Sequence, residues 1–127
     1  MILTKTYEQN SIHAQISSFE GKGGVTEYHI LFSVTNPSLP FTEQLDKLEK
    51  AYETVTKEEA GKAVAIFRRY FLSDAANQTE PLMERECENP FCALSIVQQA
   101  PLNGTKIALW VYLQTDMTTE TYNSGMF

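Results

Sequence analysis

The sequence predicts an α+β domain: a mixed sheet in the order β-β-α-β-α-β-β, with two helices on one face. Three observations lead there. Apolar and polar residues alternate with a period of two in several separate stretches, as in half-buried strands. One long stretch carries apolar residues at helical spacing, with charges opposite. Through the middle of the chain strand and helix patterns take turns, which forces some parallel pairing by crossover connections.

Taken in order, residues 11–19, SIHAQISSF, set Ile12, Ala14 and Ile16 against Ser11, His13, Gln15 and Ser17. Gly21-Lys22-Gly23-Gly24 tolerates positive φ and forms a hairpin loop. Residues 27–35, EYHILFSVT, return as a second strand whose centre, Ile30-Leu31-Phe32, suggests burial on both faces. Asn36-Pro37-Ser38-Leu39-Pro40 breaks the pattern, and Thr42 offers a helix cap. Leu45, Leu48, Tyr52 and Val55 form one apolar stripe, with Glu43, Asp46, Lys47, Glu49, Lys50 and Glu53 opposite and Gly61 marking the end region. Residues 62–72, KAVAIFRRYFL, are a rich strand with Val64, Ile66, Arg68 and Tyr70 on one side and Ala63, Ala65, Phe67, Arg69 and Phe71 on the other. Ser73 or Asp74 opens a weaker helix to about Glu86, and Pro81 argues against its being uninterrupted. From Asn89-Pro90, residues 92–114 read as two strands joined by a tight Asn103-Gly104 turn, with Ile107, Leu109, Val111 and Leu113 on one face and Ala108, Trp110 and Tyr112 on the other.

The 127 residues make one domain, 1–127, with a core over about 12–114 and a polar tail over 115–127. A 43% apolar content supports a packed core. The net charge of −6 disfavours nucleic acid as a partner, because phosphate contacts need clustered Lys and Arg. The densest basic pair, Arg68-Arg69, lies in a strand, where neighbours point to opposite faces and form no patch. No stretch is long and apolar enough for a membrane span, and MILTKTYEQN lacks a cleavage-site pattern, so a cytoplasmic protein is expected. Cys87 and Cys92 are the only cysteines and are expected to be free thiols; with His13 and His29 as the only histidines, no zinc ligand set appears. Gly21–Gly24 is no phosphate loop, and no cofactor is expected.

With both helices on one face, the other face of the sheet needs cover. Trp110, Tyr112 and apolar residues of the 63–71 strand would line it, and a chain of this length has nothing left to place over it. Self-association follows as a physical expectation.

The segments YHILFSVTNPSLPFTEQLDKLEKAYETV, KAVAIFRRYFLSD and CALSIVQQAPLNGTKIALWVYL, in that order, resemble the RidA/YjgF superfamily over roughly residues 12–114. The last of them also looks like the related domain of chorismatase-type proteins. The resemblance implies a chorismate-mutase-like fold, a homotrimer with a barrel-like centre, and ligand pockets in clefts between subunits. It also brings the family's labels of endoribonuclease and translation inhibitor. The imine-deaminating members carry a carboxylate-gripping arginine at the start of the penultimate strand, where Cys92 or Ala93 stands here. Their last-strand glutamate is matched by Ala108 or Trp110, and the Ser-Gly pair ending their second strand by Val34-Thr35. That machinery is absent, so deaminase activity is not expected.

The function expected is therefore a RidA-like homotrimer binding an unknown small molecule in intersubunit clefts lined by Thr35, Asn36, Cys92 and Trp110, with no assigned catalytic residue and no metal. Without the arginine, neutral or aromatic metabolites are expected over carboxylates. The alternatives are an enzyme of different chemistry in the same cleft (hydrolase or chorismatase-like lyase, using His13, Gln98 or Glu86) and a non-catalytic partner subunit. No Lys, Arg or His lies within five residues of Cys92 to lower its pKa, so packing is the expected role of that thiol. The run Glu84, Arg85, Glu86, Glu88 reads as a solvated helix end. An endoribonuclease fits poorly with an acidic chain that lacks a basic-aromatic platform.

Overall fold

The structure, a computed structural model, describes residues 2–21, 24–59, 61, 63–86, 93–101 and 104–115. Cys87, Cys92, Asn103 and the tail beyond Thr115 lie outside the described residues. The elements are β1 (Ile2–Gln9), β2 (Ile12–Glu20), β3 (Thr26–Val34), α1 (Phe41–Glu59), β4 (Val64–Leu72), α2 (Ala75–Glu86), β5 (Ala93–Gln98) and β6 (Ile107–Gln114). They form one mixed six-stranded sheet in the order β1-β2-β3-β6-β4-β5, with β5 parallel to β4 and all other pairs antiparallel.

The N-terminal strand was not anticipated. β1 pairs with β2 along its length through a two-residue turn at Asn10 and Ser11, both with positive φ (59° and 66°). That backbone matches the right-handed twist of the flanking strands. The β2–β3 hairpin forms as expected: the Gly21 N–H donates to the Val25 carbonyl at 2.7 Å, and Gly24 takes φ 80°.

The last two strands depart from expectation. β5 and β6 are not a hairpin, because β4 lies between them. The connection crosses the end of β4: the Gln99 N–H donates to the Leu72 carbonyl and the Ser73 N–H to the Lys106 carbonyl, each at 3.0 Å. An Asn-Gly pair signals a turn but is silent about which strands pair beyond it. The strand with bulky apolar residues on both faces, β4, takes the inner position.

One side of the sheet carries the core. Ile12, Ala14 and Ile16 of β2, Ile30, Phe32 and Val34 of β3, and the alternate residues Ile107 to Leu113 of β6 are buried against Leu45, Leu48 and Val55 of α1 and Leu82 of α2. The two helices are tied by Arg85, which donates to Asp46 and, at 3.5 Å, to Glu49. Pro81 lies inside α2 without ending it. The carbonyl left without its donor belongs to Asn77, an exposed residue that water can reach. α1 begins at Phe41, so Thr42 lies inside its first turn rather than at the cap; Gln44 Nε2 donates to the Leu39 carbonyl and ties the preceding loop to the helix. Gly61 follows α1 closely; a Cβ there would stand 2.8 Å from the Lys57 carbonyl oxygen.

A register shift between Ala65 and Phe67 changes the alternation expected for β4. The extra residue reverses the phase. Arg68, Tyr70 and Leu72 face the helices and are buried, whereas Val64 and Ile66 are 59% and 44% exposed.

Candidate functional site: an aromatic floor on the sheet face away from the helices

Strand alternation places every second residue on the face away from the helices. Following the pairing from β2 to β5, one row reads Ser17, His29, Tyr112, Phe67, Ala93, and the next reads Gln15, Leu31, Trp110, Arg69, Ser95. A third reads His13, Ser33, Ala108, Phe71, Val97. Aromatic rings dominate the centre. His29 meets Phe19 edge-on (5.6 Å between centroids), stacks with Trp110 (5.8 Å) and tilts against Tyr112 (4.9 Å). Phe67 contacts Trp110 at 5.6 Å. These rings are half-buried, and Leu31 is 39% exposed rather than enclosed on both faces as its run suggested.

Two polar groups are set into this floor. The Tyr112 hydroxyl donates to Glu27 Oε1 at 2.6 Å. That hydrogen bond, with burial and the negative charge of Glu27 adding to it, pushes the Tyr112 phenol up to about 12. The guanidinium of Arg69 lies over Phe67 (5.2 Å) and Trp110 (6.0 Å), and its Nε donates to Ser95 Oγ at 3.4 Å. Arg68, its neighbour in sequence, is buried on the helix side over the Tyr52 ring. The two arginines thus point apart, as strand geometry requires.

Beside the floor, toward the end of the sheet where β4 and β5 finish, is a mostly apolar hollow of about 310 Å3. Its lining includes Leu31, Ser33, Phe71, Ala108, Gln99 and Pro101. A second hollow of about 250 Å3, between the β1–β2 turn and α1, is lined by Asn10, Lys47, Lys50 and Glu53 among others.

Of the residues expected to line the cleft, three are described, and Trp110 lies four residues along the strands from the end where Thr35 and Asn36 stand. Trp110 is in the floor. Thr35 is exposed just past β3, and Asn36 follows it, its Oδ1 accepting from the Ser38 N–H at 3.0 Å in a local turn. Cys92 is outside the described residues. The strand after it starts at Ala93, which pairs with Phe67 in the His29 row. That row is ~20 Å from Thr35 at the usual strand rise. His13 and His29 are not brought together: they are opposite Ser33 and Ser17, ~13 Å apart along the hairpin. His13 is instead paired with Glu8 at 3.0 Å. Gln98 serves the fold, its Oε1 accepting from the Ala75 N–H at 3.1 Å at the start of α2. Among the described residues no His, Cys, Asp and Glu cluster could hold a metal, and no helix is long and apolar enough to cross a membrane.

Sequence reasoning overlooked Arg69 as a site residue. The signal was there: on a strand whose other face is core, one member of an Arg-Arg pair must stand on the face away from the helices.

No protein-family model and no curated protein matches the sequence. Among solved structures, one described as "a putative translation initiation inhibitor from Salmonella typhimurium" superposes with a TM-score of 0.57, covering 86% of this chain and 95% of that one at 14% identity. At that identity the likeness speaks for the fold. It agrees with the resemblance carried by the sequence, and the chain has the mixed α+β, RidA/YjgF-like fold.

Proposed function

We propose that the protein is a homotrimer that buries its aromatic sheet faces together and binds a small metabolite in the clefts between subunits. The observation that carries this is the floor itself: half-buried Phe19, Phe67 and Trp110 and exposed Leu31 have no helix of the described chain over them. Contiguous apolar surface of this kind marks an interaction site. Identical faces are most simply covered by copies of themselves under closed symmetry; three copies rather than two is what the RidA-like fold suggests.

In this reading Thr35, Asn36, Cys92 and Trp110 line the cleft, and the first two come from a different subunit than the segment at Cys92. Thr35 and the row that contains Ala93 are ~20 Å apart along the strands, a distance that a second copy would let a shared cleft span. Ala93 and Ala108 carry no proton-transfer group. Binding, rather than imine hydrolysis, is therefore the activity proposed.

Light scattering tests the assembly: the expected mass is three times the 14.4 kDa of the chain. A single-chain mass overturns the reading. Thermal shift against a metabolite set tests the binding, with a melting temperature that rises with the concentration of a true ligand. Turnover of 2-aminoacrylate at the rate of an active deaminase would replace binding with catalysis.

A further inference from the structure

We propose that the polar hollow between the β1–β2 turn and α1 is a binding site for a phosphomonoester of a small polyol: Lys47 and Lys50 take the phosphate, and Glu53 and Thr54 take the hydroxyls. The site goes beyond the cleft reading. Its described lining belongs to one chain, on the helix side of the sheet, and needs no second copy.

The helix sets the arrangement. Lys47, Lys50, Ala51 and Thr54 fall at i, i+3, i+4 and i+7 of α1, so they share one face, and all of them line the hollow of about 250 Å3. At that spacing the Cβ atoms of the two lysines are ~5–6 Å apart, so both ammonium groups can reach one phosphate. The hairpin supplies the other wall. Asn10 is held at φ 59° in the tight turn, and its Oδ1 accepts from Lys47 Nζ at 3.4 Å.

Charge selects one end of the ligand. The chain carries 16 acidic and 10 basic residues, so a lysine has many carboxylates to choose from. Yet Lys50 has no ion-pair or hydrogen-bond partner among the described residues, and Lys47 has only the long bond to the neutral Asn10 amide. The nearby carboxylates of Asp46 and Glu49 are engaged by Arg85. Two like charges one turn apart on a helix repel each other, and an anion between them turns that cost into attraction. A phosphomonoester carries close to two negative charges at neutral pH and matches both ammonium groups. A carboxylate would match one.

The other end is set by Glu53 and Thr54, ~5 Å beyond Lys50 along the helix axis. The Glu53 carboxylate repels a second anionic group and accepts from hydroxyls. Thr56 and Thr79 turn their hydroxyls back onto the Tyr52 and Ala75 carbonyls, each at 2.6 Å. The half-buried Thr54 makes no such bond among the described residues, so its hydroxyl is free to meet a ligand. The volume is small for a ligand pocket, which suits a polyol of a few carbons.

Calorimetric titration of the full-length protein with glycerol 3-phosphate, inorganic phosphate and glycerol tests the site. Glycerol 3-phosphate is expected to bind saturably, one per chain. Inorganic phosphate should bind about fivefold more weakly, the scale of one neutral hydrogen bond, and glycerol should give no saturable heat. Lys50→Gln should weaken glycerol 3-phosphate at least about tenfold, the scale of a lost charged hydrogen bond, with its urea midpoint unchanged. Glu53→Ala should bring glycerol 3-phosphate and inorganic phosphate to similar affinities. Leu31→Lys, on the opposite face of the sheet, should bind as the wild type does. No saturable binding of glycerol 3-phosphate, equal affinity in K50Q, or inorganic phosphate bound as tightly in the wild type overturns the inference. Loss of binding in L31K would place the ligand on the aromatic floor and overturn it as well. A single-chain mass with binding still dependent on Lys50 would sink the trimer reading and leave this inference standing.

Discussion

Gln44 shows how much one polar side chain can carry. It is fully buried in α1, among the apolar stripe. Its Nε2 donates to the Leu39 carbonyl at 2.8 Å and its Oε1 accepts from the Lys106 N–H at 3.0 Å, so it joins the loop before α1 to the start of β6. Leu39 retains a second donor, Lys106 Nζ at 3.2 Å, but the Lys106 N–H has no other partner among the described residues. Gln44→Leu should therefore lower stability by about 2 kcal/mol in urea denaturation, the cost of one orphaned buried donor plus a lost bond. Hydropathy spacing could not have found Gln44, since a polar residue on an apolar stripe reads as an interruption until its partners are known. Tyr112 gives a second check. Its neutral form is favoured in the folded state, so this contribution to stability is complete below pH ~10 and is lost as pH rises toward about 12. Ultraviolet titration should show one phenol ionising near 12, absent in Tyr112→Phe.

Among the elements, legibility followed the strength of local pattern. The stripe Leu45, Leu48, Tyr52, Val55 and the alternation of β2, β3 and β6 appear as expected, because burial on one side imposes the period directly. β1 was missed because its turn is Asn-Ser rather than Asn-Gly, a weaker signal for the same backbone. That gives a test. Ser11 holds φ 66°, unfavourable for a residue with a Cβ, so Ser11→Gly should stabilise the protein by about 1 kcal/mol. An unchanged or lower denaturation midpoint would argue against the turn. The β4 bulge was invisible for a different reason: an extra residue changes which residues share a face without changing composition, and only the pairing with β6 reveals it. Strand order was illegible in the same way. Segments that adjoin in sequence, β5 and β6, are separated by the strand best able to be buried on both sides.

For the whole molecule, the decisive surface is the sheet face that no helix of the described residues covers. That both helices pack on one face was legible, and among the described residues no helix or strand lies over the other. Trp110 and Tyr112 lie on it as expected; of the apolar residues of the 63–71 strand, Phe67 and Phe71 do, whereas Ala65 and Tyr70 face the core. What covers it was not legible, since pattern along one chain says nothing of a second copy, and Thr35 is four residues along the strands from the Trp110 row. Leu31→Lys separates the alternatives. In a lone chain Leu31 is 39% exposed, so a lysine there reaches water and should cost no more than about 1 kcal/mol of folding stability. In an assembly that apposes these faces, each copy would bring a charge onto an apolar floor beside Trp110, and association should fail. The wild type should then melt at a temperature that rises with protein concentration, while L31K melts lower and without that dependence. Its scattering mass should drop to that of one chain. A variant that keeps the wild-type mass would mean that the floor faces water, or a ligand alone, and that the copies meet through another surface.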